Sequence, residues 1–121
     1  WQVSMGNPHA VIFHPNPEEV DLGQLGPQLE GHPALLERSN VEFAAVEGDG
    51  LAVRVWERGS GITLACGTGA CACFAAARRQ GLCGDRAQVR LPGGVLEVEA
   101  RGEELFLTGP ARQVFEGEWE P

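Results

Sequence analysis

The chain has 121 residues, 43% of them apolar, and a formal net charge of -8; that is enough apolar content for one compact domain, residues 1–121, without staples. The acidic balance and the lack of a basic cluster exclude nucleic acid, whose phosphates such a surface repels. No apolar run reaches membrane-spanning length and no basic-then-apolar leader opens the chain, which predicts no membrane partner and a cytoplasmic location.

All nine basic side chains are Arg, so lysine-base and Schiff-base chemistry are excluded. The four cysteines, Cys66, Cys71, Cys73 and Cys83, make no disulfide framework in a chain without a secretory signal. Cys71 and Cys73 stand two apart on a predicted helix and point in different directions, which suits neither a metal clamp nor a redox pair. They read, with Cys83, as small packing residues. No metal is expected. The chain opens at Trp1 and enters strand-like residues at once, which leads to the expectation that it belongs to something longer.

In chain order, Val3 to Phe13 reads as one extended segment kinked or bulged at Gly6-Asn7-Pro8-His9, since Pro8 lacks an N–H and pushes Asn7 out of the helical region. A turn at Pro15-Asn16-Pro17 precedes a short amphipathic helix over about Leu22 to Gly31. Asn40 begins a strand through Val46 whose Val41, Phe43 and Ala45 share one face. Glu47-Gly48-Asp49-Gly50 then supplies hairpin chemistry. On the return strand Leu51, Val53 and Val55 share a face, and Glu57 is the next residue on it. Glu57 should therefore point inward, where a partly desolvated carboxylate can take part in proton traffic. Arg58 falls on the opposite phase.

A glycine-spaced loop leads from Glu57 to Cys66, which stands just before Gly67-Thr68-Gly69 and a run of helix formers reaching about Gln80, with the stop at Gly81. This aims a thiol at a helix start, where orphan N–H groups and the dipole favour a nearby anion, either the thiolate or a substrate carboxylate. Thr68 is a candidate N-cap. The helix carries small residues on nearly every side and reads as central and buried. Hairpins follow: Gln88 to Leu91, Val95 to Ala100, Leu105 to Thr108, and a last strand near Gln113 to Phe115. The fold class is α+β, a curved, largely antiparallel sheet wrapped around a central helix.

Met5-Gly6-Asn7-Pro8-His9, Asn40-Val41-Glu42-Phe43, Glu57-Arg58-Gly59 with Ala65-Cys66-Gly67-Thr68-Gly69-Ala70, and Leu107-Thr108-Gly109-Pro110-Ala111 stand in that order. Together they resemble the carboxyl-terminal half of the diaminopimelate epimerase family. The resemblance implies a cofactor-independent isomerase of lysine and cell-wall precursor synthesis that interconverts LL- and meso-diaminopimelate with two cysteines, one on each face of the α-carbon. Cys66 matches the thiol of this half, and the second would lie in an amino-terminal half absent here. It further implies that Gly67 and Thr68 bind the α-carboxylate, that Asn7, Asn40, Glu57 and Arg58 contact substrate, and that His9 and Glu57 are acid–base neighbours tuning the thiols.

A homodimer is implied for the full-length protein. The sequence departs from the family pattern at Ile62, where a polar Glu is usual, and at Phe115, where a dimer-contact Tyr is common. Two other readings fit the same stretches. One is a related racemase or isomerase of proline-racemase-like or phenazine-biosynthesis-like type. The other is a non-catalytic module that binds a carboxylate at the Cys66 helix start.

Overall fold

The computed structural model describes residues 1–35 and 37–121. Among the described residues the elements run β1 (Gln2–Ser4), β2 (Pro8–Phe13), α1 (Leu22–Glu30), β3 (Asn40–Glu47), β4 (Gly50–Glu57), β5 (Gly61–Thr63), α2 (Gly67–Arg79), β6 (Arg86–Leu91), β7 (Gly94–Arg101) and β8 (Glu104–Thr108). The strands make one sheet in the order β1-β2-β3-β4-β6-β7-β8, with β5 joined to β4. The fold is the expected α+β sheet around a helix, and it is mixed: β2 with β3 and β4 with β6 are parallel, the other pairings antiparallel.

The two parallel pairings have one cause. A parallel neighbour cannot be reached by a hairpin and needs a crossover, and α1 and α2 are those crossovers. Because β2 and β4 run in opposite directions, crossovers of the same right hand put the two helices on opposite faces of the sheet. Alternation along the central strands shows this. Val41 and Phe43 of β3 pack with Leu22 of α1, joined by Trp56 of β4. Ala44 of β3 and Leu51, Val53 and Val55 of β4 pack with Ala70, Cys73, Phe74 and Ala77 of α2. Both faces of β3 and β4 are therefore covered.

Helix α2 lies in the curl of the sheet and touches β1, β2, β3, β4, β6, β7 and β8. Its Gly69, Ala70, Ala72, Cys73, Phe74, Ala76 and Ala77 are all buried, and small side chains are what let strands close around it. The helix stops where expected, with Arg78 and Arg79 in the last turn complementing the dipole. It starts earlier than Thr68 capping requires: Cys66 is the N-cap, in extended conformation, and Thr68 lies inside the first turn.

Two further expectations are corrected. The segment Val3 to Phe13 is a hairpin of two strands, since Ser4 pairs with Pro8 and Gln2 with Ala10. Gly6, at φ 90°, supplies a left-handed backbone that lets the chain reverse fully where a kink was expected. The last strand, near Gln113 to Phe115, does not form. Gly109-Pro110 ends the β8 ladder, and Val114 and Phe115 remain 88% and 84% exposed, so the segment has no strand or core within this chain to pair with.

The α1 face rests on one close approach, that of buried Gly26 to Trp56, where a Cβ at position 26 would overlap the indole ring. Gly26→Ala thus sets an overpacking cost of about 1–3 kcal/mol against the ~1 kcal/mol that alanine gains as a helix former. A lowered urea midpoint is the expected outcome; a raised one would show that the indole moves aside freely.

Candidate active site

Cys66 is built by the junction of β5 and α2. As N-cap its Sγ accepts the Gly69 N–H at 3.3 Å, and its carbonyl accepts the Ala70 N–H at 2.9 Å. The N–H groups of Gly67 and Thr68, at the first two helical positions, have no acceptor within the helix. Sulfur and orphan donors therefore face outward together. They open on a cleft of about 860 Å3 lined by Met5, Glu57, Cys66, Thr68, Cys71 and Leu107, among others.

Glu57 reaches that cleft as the strand phase requires, half-buried at the end of β4. Its Oε1 accepts the Thr63 hydroxyl at 2.7 Å, which fixes the carboxylate across the β4–β5 turn. The neighbouring Ile62 is 54% exposed, on the other side of β5. Arg58 turns away: its Nη1 donates to the Arg38 carbonyl at 2.9 Å, and its N–H donates to Asn40 Oδ1 at 2.8 Å. Asn40, 7% exposed, also donates through Nδ2 to the Pro8 carbonyl at 3.4 Å. It ties the start of β2 to the end of β4.

His9 is 1% exposed and does not line the cleft. It is connected to it: Nε2 lies 3.0 Å from Asn7 Oδ1, Asn7 Nδ2 donates to Thr68 Oγ1 at 3.3 Å, and Thr68 Oγ1 lies 3.6 Å from Cys66 Sγ. The structure thus gathers Cys66, Glu57, Gly67 and Thr68 at the cleft and joins Asn7 and His9 behind them. Asn40 and Arg58 do not line the cleft, although Asn40 is the register partner of His9 across β2 and β3.

Two groups escaped the sequence reading. Glu42 is wholly buried, and its Oε1 lies 2.6 Å from His9 Nδ1. The alternation that gave Val41 and Phe43 the inner face left Glu42 outside; with both faces of β3 covered there is no outside. The signal was available, since a near-continuous apolar run with one carboxylate is what a strand buried on both sides looks like. Cys71 was read as packing only. It does pack against the core, but it also lines the cleft beside Cys66.

Burial pushes the Cys66 thiol up from its ordinary 9.0, the Thr68 hydroxyl and Gly69 N–H pull against this, and the Glu57 and Glu42 carboxylates push it further up. Burial likewise raises the Glu42 carboxyl above 4.5, opposed by the hydrogen bond and charge of His9 and assisted by Glu57. Cys73, wholly buried, is held well above 9.0, first by burial and then by Glu42, Cys66 and Cys71. An unfolded Cys73 ionises near 9.0 while the folded one keeps its proton, so folding stability falls as pH rises above that value. The urea midpoint should therefore drop between about pH 8 and about pH 10, and Cys73→Ala should flatten that drop. An equal drop in both proteins would assign it elsewhere.

All four cysteines are free thiols. Among the described residues no group of three or more His, Cys, Asp or Glu side chains converges as a metal site. No helix among them is long and apolar enough to cross a membrane.

Comparison with solved structures shows the fold. The fold is that of phenazine biosynthesis proteins of the PhzF family: one from Enterococcus faecalis superposes with a TM-score of 0.64 over 82% of this chain and 36% of that one at 17% identity. One from Bacillus anthracis gives 0.61 over 85% and 34% at 18% identity. Residues 1–114 match the diaminopimelate epimerase family, and the chain belongs to it. The diaminopimelate epimerase of Cyanothece sp. is 56% identical over 95% of this chain and 42% of its own length. That of Phocaeicola vulgatus is 52% identical over 98% and 43%. The chain therefore spans well under half the length of these curated relatives.

Proposed function

We propose that this chain is the carboxyl-terminal half of a diaminopimelate epimerase and supplies one of its two thiols. The observation that carries the reading is the placement of Cys66: a sulfur at a helix start, opening on a cleft beside Glu57, in a chain of this family. In the reaction, the Cys66 thiolate takes the α-proton, so the C–H bond breaks and an S–H bond forms. A thiol from the other half then returns a proton to the opposite face of the carbanion, and the reverse direction exchanges the two roles.

The α-proton of an amino acid is very weakly acidic, which is why such a base needs a dry, preorganised site with donors aimed at the developing charge. The orphan N–H groups of Gly67 and Thr68 hold the α-carboxylate and bring the reacting carbon up to the sulfur. Glu57 and His9 tune the acid–base balance of the site, and Asn7 contacts the substrate beside Thr68. Arg58 reaches the substrate by leaving the Arg38 carbonyl, with Asn40 holding the turn from which it swings. The product serves lysine and cell-wall precursor synthesis, and the full-length protein works as a homodimer in the cytoplasm.

The test is isotope exchange. The intact enzyme carrying this chain, incubated with LL-diaminopimelate in D2O, should form meso-diaminopimelate with deuterium at the inverted α-carbon. No exchange in a folded protein rejects the reading.

A further inference from the structure

Glu42 is the largest unexplained commitment in the molecule: a carboxylate with no exposure, one oxygen on His9, and its Oε2 buried with no hydrogen-bond partner among the described residues. Its position is also defended. At Gly69, in the first turn of α2, a Cβ would stand 2.9 Å from Glu42 Oε1 and 3.3 Å from Cys66 Sγ, so the helix start is cut away where carboxylate and sulfur both approach it. A buried carboxylate this costly is out of place in a strand that could carry valine there.

The proton positions follow from donor and acceptor types. Thr68 Oγ1 receives an N–H from Asn7 Nδ2, so the Asn7 carbonyl oxygen is the atom facing His9 Nε2. A carbonyl oxygen only accepts, so Nε2 carries a proton. His9 Nδ1 faces Glu42 Oε1 at 2.6 Å, and one further proton lies between them, whichever atom holds it. The pair is then neutral as a whole. The Thr68 hydroxyl, already accepting from Asn7, has its own hydrogen free for Cys66 Sγ at 3.6 Å. From His9 outward each group donates to the next, and the last donor meets the sulfur.

We propose that Glu42 is a positioning residue: by keeping a proton against His9 Nδ1 it fixes the Nε2–H form of the imidazole, and so points the Asn7 and Thr68 donors at Cys66, favouring the thiolate. This rests on the reading of Cys66 as the acid–base thiol. Without Glu42, Nδ1 takes the single proton, Nε2 becomes an acceptor, the Asn7 amide turns over, and the Thr68 hydroxyl donates to Asn7 instead of sulfur. Glu42 thereby supports a thiolate that its own negative charge would oppose, and the proton shared with His9 removes that conflict. The groups facing Glu42 are His9 on β2, Glu57 on β4, and Cys66 and Cys73 at α2.

The readout is the ionisation of Cys66 in the intact, substrate-free protein, from the pH dependence of iodoacetamide alkylation resolved by mass at the Cys66 peptide; it needs no epimerase activity. Glu42→Gln offers an amide N–H to Nδ1 and should stay within about threefold of wild type in thiolate fraction, whereas Glu42→Leu, similar in size, should lose about tenfold, roughly one unit. Thr68→Val should lose a similar factor, and adding it to Glu42→Leu should lose no more. If Gln and Leu both increase the thiolate fraction, Glu42 acts by charge alone and the proposal fails; it fails equally if neither variant moves it. Should Glu42→Leu not fold, the nitrogen NMR shifts of His9 in the wild-type protein decide: a neutral Nδ1–H tautomer overturns the proposal. Absence of deuterium exchange with a normal Glu42 response would instead remove the epimerase reading and leave this one standing.

Discussion

On the proposed reading, Cys66→Ala in the intact enzyme should lower kcat for epimerisation by at least about 10³-fold, the upper part of the range for loss of a positioned acid–base group. KM should move far less, because on that reading the carboxylate is held by the backbone N–H groups of Gly67 and Thr68 and not by the sulfur. No neighbour replaces the thiol. Cys71 is also raised by burial and lies a turn further along α2, and Glu57 is held by Thr63. Cys66→Ser is the informative companion. Serine is a good N-cap and keeps an acceptor for the Gly69 N–H, so stability should hold, while its hydroxyl is far too weakly acidic to serve as the base. Lost turnover with an unchanged urea midpoint is the expected pair of results. Full turnover in Cys66→Ser would favour a module that binds a carboxylate without reacting with it.

Phe74→Ala should cost about 3–5 kcal/mol, the range for removing a buried aromatic ring, against total stabilities of about 5–15 kcal/mol. Phe74 is 0% exposed and is the largest of the fully buried side chains. The other buried residues of α2 are only Gly, Ala and Cys, so none of its core-facing side chains is long enough to fill the vacated space. The expected result is a urea midpoint lowered by roughly a fifth at the least, up to complete loss of folding. A loss under about 1 kcal/mol would mean that the sheet collapses onto the gap.

What could be read from the sequence follows the range of the forces. Turn chemistry at Glu47-Gly48-Asp49-Gly50 located the first long hairpin, the strand-like runs from Gln88 onward located the next, and the small-residue run after Cys66 located α2. Strand phase put Glu57 in the cleft. The β1–β2 reversal was missed because Pro8 signals a break in a strand but not its angle. The parallel pairings were missed because they depend on where two helices dock. Glu42 was missed for the same reason, since a carboxylate between Val41 and Phe43 reads as solvent-facing until α2 is known to cover that side. The Asn7–Thr68 contact joins residues 61 apart in sequence, and no local pattern encodes it.

Helix α2 bears on seven strands at once, like a shaft seated in a curved cradle and open to the cleft at its first turn. A shaft so held transmits displacement along its length. Ala76 lies ten residues beyond Cys66, about 15 Å along the axis, yet it is only 2% exposed, and a bulkier side chain there must displace either the facing strands or the helix itself. The sulfur rides on the end of that shaft. Tolerances at the remote end are thus tolerances on the thiol, and distance from Cys66 along α2 does not measure how little a position matters to chemistry.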